Sequence, residues 1–217
     1  MRLTRESRSY DPHVSEPKTV AETVDVVAPG IWWWHVRDER IGGYISSAHA
    51  VRGDAGVVLI DPLPLAENVL EGIGPVDAIC LTTSGHQRSA WRLRRELGVS
   101  VWAPAASKEV EEEPDERYTE ADELPAGLRP IFTPGAGTTQ HSFLLDRDGG
   151  VLFTPDLFVR PSGEPLALIP AEYAHDREQA GQTAERLLGL DFAVLCTGHG
   201  APVADDPKSA IRTALDA

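Results

Sequence analysis

ICLTTSGHQRSAW, residues 79–91, is an apolar run that breaks into a polar turn and then into a helix. An element of this kind presents its turn at the carboxyl end of a buried strand, where α/β proteins place their chemistry. Upstream, GVVLIDP (56–62) is a second short apolar run closed by Asp-Pro, and GVSVWAP follows the helix QRSAWRLRREL as a third. Continuous apolar runs of this length read as strands buried on both faces. Helices between them must cover a sheet that cannot face water, so the class is α/β and layered.

Outward from this centre the same punctuation continues. TVDVVAPGIWWWHV and GGYISSAHAV read as two strands, and ENVLEGIG as a short helix stopped by glycine. Within Trp32-Trp33-Trp34, strand alternation sends Trp32 and Trp34 to one face and Trp33 to the other, an ordinary core pattern with one ring left at a surface. GLRPIFT, HSFLLD and GVLFTPD supply further strands, and AVLCTGHG is the last. Asp176 caps a helix running to Leu188, and Asp206 followed by Pro207 opens the final one. The acidic segment KEVEEEPDERYTEADELP (108–125) is the least core-like stretch and reads as a surface excursion with a short helix and a loop. Residues 1–17 read as a flexible arm and 18–217 as a single domain.

Composition excludes several functions. With a net charge of −14 and a pI near 4.8, the chain lacks the basic surface from which nucleic-acid or anionic-membrane binding begins. No window reaches the roughly eighteen uninterrupted apolar residues of a membrane helix, and the charged start has no apolar middle of a signal peptide, so a cytoplasmic protein is expected. Cys80 and Cys196 lie in apolar strands without metal-type spacing and read as reduced core thiols. A homodimer is the default assembly. Thr83, Ser84 and Ser89 have no Gly-x-Ser-x-Gly elbow, and TPGAGTT lacks the lysine of a phosphate loop.

In order, GVVLIDP, ICLT with its turn and helix, IFTPGAGTT, GVLFTPD and VLCTGHG resemble the metallo-β-lactamase fold superfamily over about residues 24–203, with glyoxalase II-like hydrolases the nearest branch. The resemblance implies a four-layer αββα sandwich of the metallo-β-lactamase type, with a metal site at one edge of its two sheets. In active members the turn reads Thr-His-x-His-x-Asp-His, a later Gly-His adds a ligand, an aspartate bridges two ions, and Gly-His-Gly completes the set. Laid on this chain without a gap, the two leading histidines fall on Thr83 and Gly85, the aspartate on Gln87 and the last histidine on Arg88. The Gly-His position becomes Gly135-Ala136, or Gly137 with one insertion. Only Asp156 and His199 match, and His86 falls on a spacer.

The expected site is therefore a degenerate one. Thr83, Ser84, His86, Gln87, Arg88, Asp156 and His199 line a polar pocket, and an Arg88–Asp156 pair replaces the metal as internal charge balance. On this reading no metal is bound, the protein is not a dinuclear zinc hydrolase, and a small polar or anionic molecule is the ligand. Its alternative is one zinc, iron or manganese ion held by Asp156, His199, His86 and His141, serving hydrolysis of an ester or thioester. A third reading is a structural or regulatory subunit that acts through the acidic 108–125 surface. His13, His35, His49 and His175 have no spacing partners and read as surface or structural residues.

Overall fold

The computed structural model describes residues 16–217, so the first fifteen residues of the expected arm lie outside the described residues. Seven strands form the first sheet in sequence order. They are β1 (Asp25–Ala28), β2 (Ile31–Asp38), β3 (Tyr44–Arg52), β4 (Val57–Ile60), β5 (Val76–Cys80), β6 (Ser100–Pro104) and β7 (Glu116–Tyr118). Pairing is antiparallel from β1 to β4 and parallel from β4 to β7. The second sheet holds β8 (Leu128–Phe132), β9 (His141–Leu145), β10 (Val151–Arg160), β11 (Ala167–Leu168) and β12 (Val194–Gly200), with β12 parallel to β10.

Helices α1 (Glu67–Ile73) and α2 (Ala90–Leu97) cover the outer face of the first sheet, and α3 (Arg177–Leu187) and α4 (Pro207–Asp216) that of the second. Three apolar clusters separate the layers. β4 shows why its residues are all apolar: Val57 and Leu59 pack toward Ile73, Trp91 and Leu93, while Val58 and Ile60 pack between the sheets with Phe143 and Phe153. The four-layer αββα sandwich is thus present. The predicted caps hold as well, with Asp176 accepting from the Gln179 amide at 3.0 Å and Asp206 from the Ser209 amide at 3.1 Å.

Two local readings change. The first expected strand is a hairpin, β1 turning into β2 at Gly30, whose φ is +72°. Trp34 and Trp32 face the α-helical side and Trp33 the other, as alternation demands; Trp34 is fully buried and donates its indole N–H to the Leu63 carbonyl at 3.2 Å. The acidic segment forms no helix. It runs past α2 and ends in β7, where Tyr118 is buried and donates to the Leu81 carbonyl at 2.7 Å. Arg94 and Arg95 of α2 pair with Glu112, Arg94 also with Asp115 at 2.6 Å, and Arg117 with Glu113 at 3.0 Å. Glu112, Glu113 and Asp115 are therefore partnered by arginines.

Candidate metal centre

Four strand ends meet at one edge of the sandwich. Parallel pairing sets Ile60 of β4 opposite Cys80 of β5, so Asp61 and Thr82, just beyond them, lie side by side. A single 3-10 turn over Ser84–His86 follows, with the Thr83 hydroxyl accepting from the Gly85 amide. Across the seam, β10 and β12 lose register between Thr154 and Val159, and the bulge holds Asp156 beside His199. Gly198 permits the close approach: a Cβ there would stand 2.6 Å from the Pro155 carbonyl and 3.0 Å from Cε1 of His86.

The side chains form a chain of contacts. Asp61 accepts from the Thr82 amide at 2.8 Å and from its hydroxyl, and its Oδ2 lies 2.9 Å from Nδ1 of His86. Nδ1 of His199 lies 2.9 Å from the Ile45 carbonyl. A carboxylate and a carbonyl only accept, so both histidines carry their proton on Nδ1. Both Nε2 atoms then face Oδ1 of Asp156, at 3.0 Å from His86 and 2.9 Å from His199. With the rings neutral these are three metal-donor atoms with converging lone pairs, all within 4.8 Å of one another; a ring that is protonated instead donates from Nε2 to Asp156. Such a cluster holds together only around a cation, either a metal ion or protons on the imidazoles.

Burial works to raise the Asp156 pKa, but the His86 charge and the hydrogen bonds from both imidazoles outweigh it and hold the carboxyl well below its ordinary range. Burial and Arg88 oppose protonation of His86, yet Asp156 and Asp61 prevail and raise its pKa. Burial drives the neighbouring His49 down to about 3 despite the pull of Asp61, so it stays neutral. Arg88, also buried, donates to the Ser47 carbonyl at 2.5 Å and to the Asp61 carbonyl at 3.1 Å. One guanidinium against the two carboxylates leaves one buried negative charge, which one further positive charge balances.

The sequence-predicted residues separate accordingly. His86, Asp156 and His199 come together. Arg88 lies close enough to feel the Asp156 charge, but its hydrogen bonds to backbone carbonyls and the imidazole bonds to Asp156 replace the expected direct pair. Gln87 is buried and bonded away from the cluster, its amide donating to the Ser84 and Glu109 carbonyls and its oxygen accepting from Trp91 and the Glu111 amide. It fastens the acidic segment to α2. Thr83 caps the turn and Ser84 lends its carbonyl to Gln87. His141 stands apart, edge-on to Tyr118 with its Nδ1 on the Thr139 carbonyl. Sequence reading missed Asp61. Its signal was the Asp-Pro closing a buried strand adjacent in sequence order to the strand that carries the turn.

A family model described as "Metallo-beta-lactamase superfamily" matches residues 25–214. No curated protein matches significantly. Among solved structures, a metallo-beta-lactamase from Pontibacter korlensis aligns at 19% identity over 89% of this chain and 98% of its own, with a TM-score of 0.70. One from Erythrobacter litoralis aligns at 18% identity over 89% and 90%, with a TM-score of 0.66. The DIM-1 metallo-beta-lactamase exposed to ceftazidime aligns at 16% over 90% and 97%, with a TM-score of 0.72.

Proposed function

Since the chain belongs to the metallo-beta-lactamase superfamily, we propose that it keeps one divalent-ion position instead of two, held by His86, Asp156 and His199, and hydrolyses an ester or thioester there. The observation that carries this reading is the commitment of both Nδ1 atoms elsewhere, which leaves two imidazole Nε2 atoms and a carboxylate oxygen aimed at one another. Separations of 2.9 and 3.0 Å suit atoms bound at about 2 Å to one small ion. Asp61 and the Ile45 carbonyl orient the imidazoles as outer partners of a metal-binding histidine do. Gln87 and Arg88 stand at two of the family motif's other ligand positions, and a fixed guanidinium disfavours a second dication. A divalent ion in this position supplies Lewis acidity toward a carbonyl oxygen and toward water. Asp156, about one-third exposed, is the donor open to solvent and thus to substrate.

Protein purified without chelator should contain about one equivalent of zinc, iron or manganese. His86→Ala, Asp156→Ala and His199→Ala should each lose it, together with hydrolysis of a panel of simple esters and thioesters. No metal, with a melting temperature indifferent to chelator, would sink the proposal and favour a second reading. In that reading a proton balances the cluster, as the raised His86 and lowered Asp156 pKa allow, and the pocket binds a small polar or anionic molecule without hydrolysis.

Gly198→Ala tests the packing beneath the site. Its methyl group must move the Pro155 backbone or His86, so metal affinity should fall at least about tenfold and stability by about 1–3 kcal/mol. Gly181→Ala, at a helical position with open space around it, should instead gain about 0.4–1 kcal/mol. Metal titration and thermal melts of both variants give the comparison.

A further inference from the structure

Beside the donor cluster lies a cleft of about 380 Å³, within the size range of small-molecule sites. Trp33, His35 and Ile45 of the first sheet form one wall, and Arg160 and Gly200 of the second form the other. It adjoins the cluster directly: Ile45 accepts from His199 through its carbonyl, and Gly200 follows His199 in the chain. Trp33 and His35 are stacked, ring centroids 4.6 Å apart and planes 19° from parallel. Two residues apart on one strand, they use one ring face each on the other, and the exposed His35 leaves its outer face to extend the stack by a further ring. Opposite, the Arg160 guanidinium is tied to the Pro202 carbonyl at 2.6 Å and the Ala201 carbonyl at 3.4 Å. A pinned guanidinium offers a planar face for stacking. Finally, the indole N–H of Trp33 is buried and has no acceptor among the described residues, although a buried donor of this kind ordinarily has one.

We propose that this cleft binds the non-reacting part of the substrate as a flat aromatic group carrying a hydrogen-bond acceptor on its edge. The ring lies against the Trp33–His35 surface, and the acceptor takes the Trp33 N–H. As a statement about substrate this rests on the hydrolase reading above and makes the substrate an aryl-bearing ester or thioester; as a binding site it stands without it. Offset stacking of aromatic groups favours a ring over a saturated group of the same size.

The test uses 2-naphthamide, a flat aromatic group with a carbonyl acceptor and no ester, and decahydronaphthalene-2-carboxamide, which has the same acceptor and carbon skeleton but is saturated. Both are titrated by calorimetry into the full chain as purified and again after chelation. Saturable binding of 2-naphthamide at one site is expected, about tenfold tighter than the saturated amide. His35→Ala, at an exposed position, should weaken it severalfold, and Trp33→Ala should abolish the ring preference. Trp33→Phe should keep part of that preference, since it retains a smaller aromatic ring while losing the pyrrole ring and its N–H. Equal affinity for the two amides, no saturable binding, or binding unchanged in both His35→Ala and Trp33→Ala would overturn the proposal. So would binding lost on chelation, because the cleft wall contains none of the three clustered donors. Binding that persists in protein found to hold no metal would support the cleft while removing the hydrolase reading, so the two fail separately.

Discussion

Replacing Arg88 with alanine should lower the unfolding free energy by about 3–5 kcal/mol, and the melting temperature by about 6–20 °C for a chain of this size. The side chain is almost wholly buried and donates to two backbone carbonyls, on β3 and just beyond β4, so its removal leaves both acceptors short of a partner. Its charge offsets those of Asp61 and Asp156, and without it two carboxylates share the site with neutral imidazoles. Alanine must also adopt φ +44°, where a side chain without a local hydrogen bond is strained. Denaturant melts in chelator measure the loss. Added zinc should then recover part of it, since a dication supplies positive charge where the guanidinium did. An unchanged melting temperature would show that the buried charge is balanced by some other group.

Asp61→Asn should weaken metal affinity by about 10–100-fold, the usual effect of losing an outer partner of a metal-binding histidine. Asparagine tolerates the φ of +47° at this position, so the backbone conformation survives. What changes is polarity. An amide presents one acceptor oxygen where the carboxylate presented two, and Asp61 serves the Thr82 amide, the Thr82 hydroxyl and Nδ1 of His86 together. The amide nitrogen facing Nδ1 would favour the opposite tautomer of His86 and turn its lone pair from Asp156. Competition against a chromophoric chelator gives the affinity, and nitrogen-15 shifts of the imidazole give the tautomer. Unaltered affinity and tautomer together would remove Asp61 from the site.

The fold was legible because its signals are local. Val57–Ile60 and Ala78–Leu81 are apolar throughout and buried, which a doubly covered strand requires, and caps at Asp176 and Asp206 mark their helices without tertiary information. Asp156 and His199 were legible because they sit in motifs whose backbone shape is set by proline and glycine. His86 fell on a spacer because an ungapped register assumes the family's loop; the 3-10 turn over Ser84–His86 rotates it to face Asp156 instead. Asp61 was not legible from its own neighbourhood. Its role exists only once β4 and β5 pair in parallel and their ends meet. His141 failed for a related reason: its bond to the Thr139 carbonyl and its packing on Tyr118 hold it within the β8–β9 sheet edge. The acidic segment misled by composition, since its partners are arginines on a different element.

Each sheet is made from one contiguous half of the chain, β1–β7 before residue 119 and β8–β12 after residue 127. The donor set draws on both: His86 belongs to the first half, Asp156 and His199 to the second. A ribosome therefore releases the first half, with Asp61 and Arg88 in place, long before a complete set exists. His199 arrives with β12, the last strand of the second sheet. The three donors are therefore assembled only once both sheets have formed and packed against each other.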